Sequence, residues 1–399
     1  MNEIFFGKKF SLVSKKTWIV FFVLTAFSIY YGLYFSSFSQ ADSNSNLWVN
    51  FLKGASVIFL FCYFGNKRIK LNIFDLVFVW SSAVLGIIYI INSIFYGFGD
   101  KLFLNYLVFV ALYPFLVSRD SAKDIYFSYQ ILSFLLCWQI ILDVSIRLFS
   151  SAQLWKEGIF VGGMGNPSSF AFACLFCLTY LLLGLEKQRL QFAIKMTMAF
   201  ILVIGIFKSG ALFIILLMLA MVYLVMLRNK TLLQKALLTS GAIILLGVLA
   251  YLAVTHNQLL ASKIYSTFEL LSGKGGGLSD SVSLRIENVK IFTTFFRTLD
   301  SHFLFGHFKN LNYFSVDSQY ITWGLSFGLL GLAAFLLFFV STIWRVVLFK
   351  YEKKDFLVFI LIFFVMIFFN NRILDYYPVG YLFVTFLALV SRGMKGEQF

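Results

Sequence analysis

Apolar residues run along this chain in long blocks separated by short polar breaks, from residue 17 to residue 391. A hydrocarbon layer about 30 Å thick is crossed by roughly 20 helical residues. Lipid offers no partner to unpaired backbone groups, so continuous blocks of this length become helices rather than alternating barrel strands. The blocks predict twelve spans, near 17–37, 47–65, 73–97, 102–118, 125–149, 167–185, 191–207, 210–227, 236–254, 320–342, 356–371 and 376–391. The expected fold class is all-α, a polytopic membrane protein. Its single membrane domain is divided by the segment 255–319, a large loop between nine helices in 1–254 and three in 320–399.

Composition agrees with that pattern. The chain is 60 % hydrophobic and 13 % charged, with a mean hydropathy of +0.86, outside the range of a soluble globular chain. The net charge of +15 raises the idea of nucleic acid, but the distribution of the charge argues against it. Basic residues gather in alternate links: Lys8, Lys9, Lys15 and Lys16; Lys67, Arg68 and Lys70; Lys187, Arg189 and Lys195; Arg345, Lys350, Lys353 and Lys354. Cytoplasmic links favour Lys and Arg, so both termini are expected in the cytoplasm and the long loop on the outer side. The basic excess then reflects topology and contact with membrane lipids, with no nucleic-acid partner. The first apolar run lacks a small-residue cleavage site and reads as a retained span. Cys62, Cys137, Cys174 and Cys177 all fall inside predicted spans, so no disulfide framework is expected. Cys174 and Cys177 read as small packing residues rather than half of a metal site.

Several polar breaks carry more than a turn. Lys208-Ser209-Gly210 divides an apolar stretch too long for one crossing, so the chain must reverse there. A lysine with so little polar company either snorkels to the interface or meets an anion. Asp143 and Arg147 are spaced to pair on one helix face. Gly162-Gly163-Met164-Gly165-Asn166-Pro167 ends at a helix start, with Asn before a first-turn Pro. Asn370-Asn371-Arg372 and Asp375-Tyr376-Tyr377 form a further outward cluster. No internal repeat or nucleotide-binding loop is present, so no cofactor is expected, and energy must come from the substrate or an ion gradient.

The long loop holds all three histidines, His256, His302 and His307, and the sequence Ser281-Val282-Ser283-Leu284-Arg285-Ile286-Glu287. A helix over 283–297 would place Ser283, Glu287, Lys290, Thr294 and Arg297 on one stripe. Leu284, Val289, Ile291, Phe292, Phe295 and Phe296 would fill the opposite arc. Arg285 is the one charge within that apolar arc. An amphipathic helix lying on the bundle would aim it into the protein, where a cation is retained either for an arriving anion or for a structural pair with Glu287 or Asp317.

These residues, in this order, resemble the O-antigen polymerase and ligase superfamily. The resemblance rests on the basic outward turn at Lys208, on Ser283-x-Arg285-x-Glu287, on Leu304-Phe305-Gly306-His307, on Asp317-Ser318-Gln319-Tyr320-Ile321 and on Gly328-Leu329-Leu330-Gly331-Leu332. It covers roughly residues 160 to 335. It implies a metal-independent glycosyltransferase, similar to the C-type membrane enzymes. Such an enzyme works on undecaprenyl-diphosphate-linked donor and acceptor glycans at the outer face of a bacterial inner membrane. A chain-length regulator and a flippase are further partners that the resemblance brings with it. Arg285 matches the loop arginine of the family motif, and Lys208 stands where the family often carries arginine. Ligases have a His-Asn-x-Tyr-like stretch where this chain has Asp317-Ser318-Gln319-Tyr320, which favours the Wzy-type polymerase over the ligase. On this reading Arg285, Asp317 and Glu287 are the candidate catalytic residues. Lys208, Arg285, Arg372, His307 and Tyr320 are the candidate substrate-binding ones, with no metal. The alternatives are an O-antigen ligase and, from another class, a lipid-linked oligosaccharide flippase.

Overall fold

A computed structural model describes residues 71–96, 101–117, 122–149, 166–184, 189–228, 280–298, 303–306, 318–349, 353–374 and 376–392, with isolated positions between them. Among the described residues there are ten α-helices and no strand. They are α1 (Ile73–Tyr96), α2 (Lys101–Val117), α3 (Ala122–Phe149), α4 (Pro167–Thr179, continued by a π turn, Tyr180–Gly184), α5 (Arg189–Lys208), α6 (Leu212–Leu227), α7 (Asp280–Thr298), α8 (Gln319–Leu348), α9 (Lys354–Asn370) and α10 (Tyr377–Arg392). Four are long and apolar enough to cross a membrane: Ile73–Phe95, Asp124–Ser145, Pro167–Gly184 and Gln319–Leu348. The chain is an α-helical membrane protein by these helices. The blocks predicted at 17–37 and 47–65 lie outside the described residues, and 236–254 is described only at isolated positions.

The helices start and stop for local reasons. At α4 the Asn166 side chain accepts from the Ser168 and Ser169 N–H groups, and Pro167 occupies the first turn, which is the start that the Asn-Pro pair predicts. Replacing Asn166 with Ala should lower the melting temperature of the purified protein, since a lost cap costs about 0.5–2 kcal/mol. At α1, Asn72 and Asp75 form a reciprocal pair. The Asp75 N–H donates to Asn72 Oδ1 (3.0 Å), and the Asn72 N–H donates to Asp75 Oδ2 (2.8 Å). One boundary differs from expectation. α8 runs on to Leu348 instead of ending near 342, because Arg345 sits in the helix with its guanidinium over the Phe74 ring (4.4 Å) and donates to Asn72 (3.4 Å).

Inside, α8 packs along α1, α10 along α2, and α4 against α5. The core is rich in aromatic rings: Phe364 meets Phe172, Phe383 and Phe386 at centroid distances of 4.9, 5.0 and 5.7 Å. Cys174 and Cys177 are fully buried in α4. The chain does reverse at Lys208. Gly205 of α5 lies against Phe170 near the start of α4, while Met221 of α6 accepts from Thr179 at the end of α4. Gly210 turns the corner with φ +62°.

These contacts give the bundle two distinct ends. One collects the start of α1 and the ends of α2, α8 and α10. There Asp75, fully buried, accepts from Tyr113 (2.6 Å) and Ser391 (2.5 Å), and Arg392 donates to the Leu116 carbonyl. Arg228 pairs with Asp355 at the same end, and Lys353 lies over Tyr126 (4.2 Å). Tyr351, in the α8–α9 link, donates to the Val390 carbonyl (3.0 Å). Burial pushes its hydroxyl up to about 12, so it stays a donor through neutral pH. Asp75→Ala should destabilise this end strongly, because Tyr113 and Ser391 would each lose their acceptor at about 1–3 kcal/mol apiece. Asp75→Asn keeps an acceptor and should retain a higher melting temperature than Asp75→Ala. Equal losses from the two substitutions would contradict this role.

Candidate functional site at the α7 end

The opposite end is built around a break in α8. Gly328 adopts φ +62° and ψ −160° inside the helix, a left-handed conformation that glycine alone adopts at little cost. The part beyond it, Leu329–Leu348, is about 30 Å long at 1.5 Å per residue, a full crossing by itself.

A short piece of the long loop fills the break. The Leu329 N–H donates to the Phe303 carbonyl (2.9 Å) and the Leu330 N–H to the Leu304 carbonyl (3.2 Å). The first free N–H groups of the second half-helix are thus capped by the loop backbone. Gly306 (φ +73°) lies directly on the chain at Ser326–Phe327, and Gly328 lies on Leu304 and Gly306. Asn92, near the end of α1 and 2 % exposed, clamps both sides. Its amide donates to the carbonyls of Phe305 (3.0 Å) and Ser326 (3.1 Å). The Leu304-Phe305-Gly306 and Gly328-Leu329-Leu330 runs, far apart in sequence, are therefore in direct backbone contact.

Helix α7 lies on this assembly. Phe295 and Leu325 form a small core with Phe292, Phe296 and Ile321 around them. Phe292 sits where a side chain on Gly324 would be, and Phe296 meets Phe303 (5.5 Å). Glu287, Lys290, Thr294 and Arg297 are exposed along the other side, as the periodicity predicts. The packed face is narrower than the expected apolar arc: Val289 and Ile291 are 51 % and 40 % exposed. Among the described side chains, the packed face is formed by Phe292, Phe295 and Phe296.

A third element, the α9–α10 turn, completes this end. Asn371 and Arg372 are each 7 % exposed. Gln319, fully buried, accepts the Leu374 N–H (3.1 Å). Ser318 caps α8 by accepting the Ile321 N–H (3.4 Å), and it donates to the Phe368 carbonyl (3.1 Å). From α4, the Asn166 amide donates to the Tyr376 hydroxyl (3.4 Å). Three polar clusters, the outermost two 210 residues apart in sequence, thus meet here.

The predicted site residues fall as follows. Arg285 and Glu287 lie on α7. Arg285 is seven residues before Phe292, in register with the packed face, and Glu287 is exposed. Lys208 is exposed at the α5–α6 turn, at the same end as Asn166. Arg372 is buried in the α9–α10 turn. The Tyr320 ring is wedged among Phe335, Phe368 and Phe369 (5.7, 6.1 and 4.6 Å), and its hydroxyl donates to the Val365 carbonyl (3.4 Å). His307 and Asp317 lie outside the described residues, as do the side chain of Arg147 and so its pairing with Asp143. Lys208, Arg285, Glu287, Arg372 and Tyr320 therefore share one end of the bundle. Asn92 and the role of Gln319 escape a reading of the sequence. A single Asn closing an apolar run was the available signal for the first, since a polar group at that depth needs a partner. The chain matches no protein-family model and no curated protein sequence.

Proposed function

We propose that the protein is a polymerase of undecaprenyl-diphosphate-linked oligosaccharide repeat units, acting at the outer face of a bacterial inner membrane on an O-antigen or related surface polysaccharide. The observation that carries this reading is the gathering of Lys208, the α7 helix with Arg285, and Arg372 at one end of the bundle. Arg345, Lys353, Arg228 and Arg392 line the other. The reading takes the richly basic end as cytoplasmic, within a twelve-helix topology whose large outer loop contributes α7.

In the reaction, a hydroxyl oxygen of the acceptor glycan bonds to the anomeric carbon of the donor. The bond from that carbon to the diphosphate oxygen breaks, and undecaprenyl diphosphate leaves with the electron pair. The hydroxyl proton passes to a carboxylate, Asp317 or Glu287. Direct displacement inverts the anomeric centre. Charge grows on the leaving diphosphate, so cations held in place there lower the barrier most. Arg285 is the first candidate for that work, with Lys208 and Arg372 beside it.

One observation favours a second reading. Discontinuous helices are a common device of transporters, and α8 is broken at Gly328, which keeps a lipid-linked oligosaccharide flippase in view. A deletion strain separates the possibilities by the size and location of its glycan. A lost polymerase leaves surface glycan of one repeat unit. A lost ligase accumulates polymer on the carrier, and a lost flippase leaves single repeats on the cytoplasmic side.

A further inference from the structure

Three polar groups on the first half of α8 have no hydrogen-bond partner among the described residues: Gln319 Nε2, Trp323 Nε1 and Ser326 Oγ. All three residues are fully buried. Their spacing of four and then three residues places them on one face of the half-helix. Buried polar groups are normally paired, and each one left alone carries its whole desolvation cost. Three on consecutive turns, without a partner among the described residues, mark this face as a place where oxygen acceptors can be received.

The chemistry of the three groups defines what they can receive. The Gln319 carbonyl oxygen is already occupied by the Leu374 N–H, so its free end is the amide donor. An indole N–H donates only, and a serine hydroxyl donates or accepts. The face therefore offers donors, which suits oxygen acceptors and rejects cations. Its surroundings are aromatic: around the Trp323 indole lie Phe335, Tyr106 and Phe103, at 4.3, 5.1 and 6.2 Å. The Tyr106 hydroxyl is engaged with Ser82 (2.8 Å). Aromatic walls with donors between them suit neutral hydroxyl oxygens. The break at Gly328 separates this half-helix from the rest of α8.

We propose that the Gln319–Trp323–Ser326 face is a binding strip for neutral hydroxyl oxygens, filled by the hydroxyls of a saccharide unit. It would extend the site from the Arg372 turn toward the Gly328 break. This rests on the reading of the protein as one that handles a lipid-linked glycan. Internal water offers the same chemistry, and the test separates the two sources.

The full-length protein in nanodiscs is compared with Ser326→Ala, which removes one of the groups with little change of shape, and with the double variant Trp323→Phe and Ser326→Ala, which removes two and opens a small cavity beside Phe335. Two probes are used: undecaprenyl-diphosphate-linked repeat units extracted from the host, and undecaprenyl diphosphate without sugar. The strip predicts that Ser326→Ala melts at or above the wild type, since an unpaired group is removed without leaving a cavity. It also predicts affinity of the double variant for the repeat unit weakened about tenfold or more, with affinity for the bare carrier unchanged. A lower melting temperature of Ser326→Ala with both affinities intact would mean structural water and would overturn the saccharide strip, as would no change in any readout. Repeat units that bind the wild type and respond to the double variant, yet are never joined, would keep the strip and remove the polymerase reading. A wild type that binds no repeat unit overturns both.

Discussion

Replacing Gly306 with Val should collapse the α7 end of the protein. A Cβ built on Gly306 would lie 2.4 Å from the Ser326 carbonyl carbon and 2.5 Å from the Phe327 nitrogen. These are backbone atoms, which cannot turn aside as a flexible side chain would. The left-handed conformation, φ +73°, adds about 1–2 kcal/mol for any residue with a Cβ, and the overlap adds about 1–3 kcal/mol more. The Leu304 carbonyl would be pushed off the Leu330 N–H and the Asn92 clamp would open, so the second half of α8 would lose its cap. Gly328 is the reciprocal position: its Cβ would meet Gly306 N at 2.5 Å and Leu304 C at 2.6 Å, and its substitution should fail in the same way. Gly86→Ala is the control, since the nearest atom to a Cβ there is Leu107 Cδ2 at 3.8 Å. Melting temperature and monodisperse yield in detergent provide the measurement. A Gly306→Val protein as stable as Gly86→Ala would show that the Phe303–Gly306 segment does not dock on the break.

The second large effect belongs to Arg285. If it stabilises the departing diphosphate, Arg285→Ala should lower polymer formation by about 10²–10³, the usual cost of removing one such donor. Arg285→Lys keeps the charge and loses the planar fork, so it should recover part of the activity. Arg297, on the exposed stripe of the same helix, provides the comparison: Arg297→Ala should leave polymer length and amount near the wild-type level. Normal polymer from an Arg285→Ala protein present at normal levels in the membrane would take Arg285 out of the chemistry.

Much of the architecture can be read from the chain because the bilayer imposes length and polarity directly. The nine blocks between 73–97 and 210–227 and from 320 onward, other than 236–254, each coincide with a helix. The Asn166-Pro167 start and the Lys208–Gly210 reversal follow from local rules that need only a few neighbouring residues. The polar stripe of α7 was legible for the same reason. The break in α8 was not. Gly328 lies in an apolar run in which the small Ser326 is the one polar residue nearby and no charge marks a boundary, and glycine is ordinary in membrane helices. Its unusual backbone depends on Gly306, and Asn92 joins the two from 213 and 234 residues away. Such pairings between distant segments leave no local trace. Arg345 misled in the opposite direction: a basic residue reads as a loop, yet contacts with Phe74 and Asn72 keep it in the helix.

The central claim, that this protein joins lipid-linked repeats, is tested most directly with purified protein in proteoliposomes. The liposomes contain undecaprenyl-diphosphate-linked repeat units as the only glycan, without nucleotide sugar and with a chelator present. The account predicts a ladder of longer glycans, all still attached to the carrier, with free undecaprenyl diphosphate released once for each repeat added. Repeat units that remain single, or that only change leaflet, would contradict it.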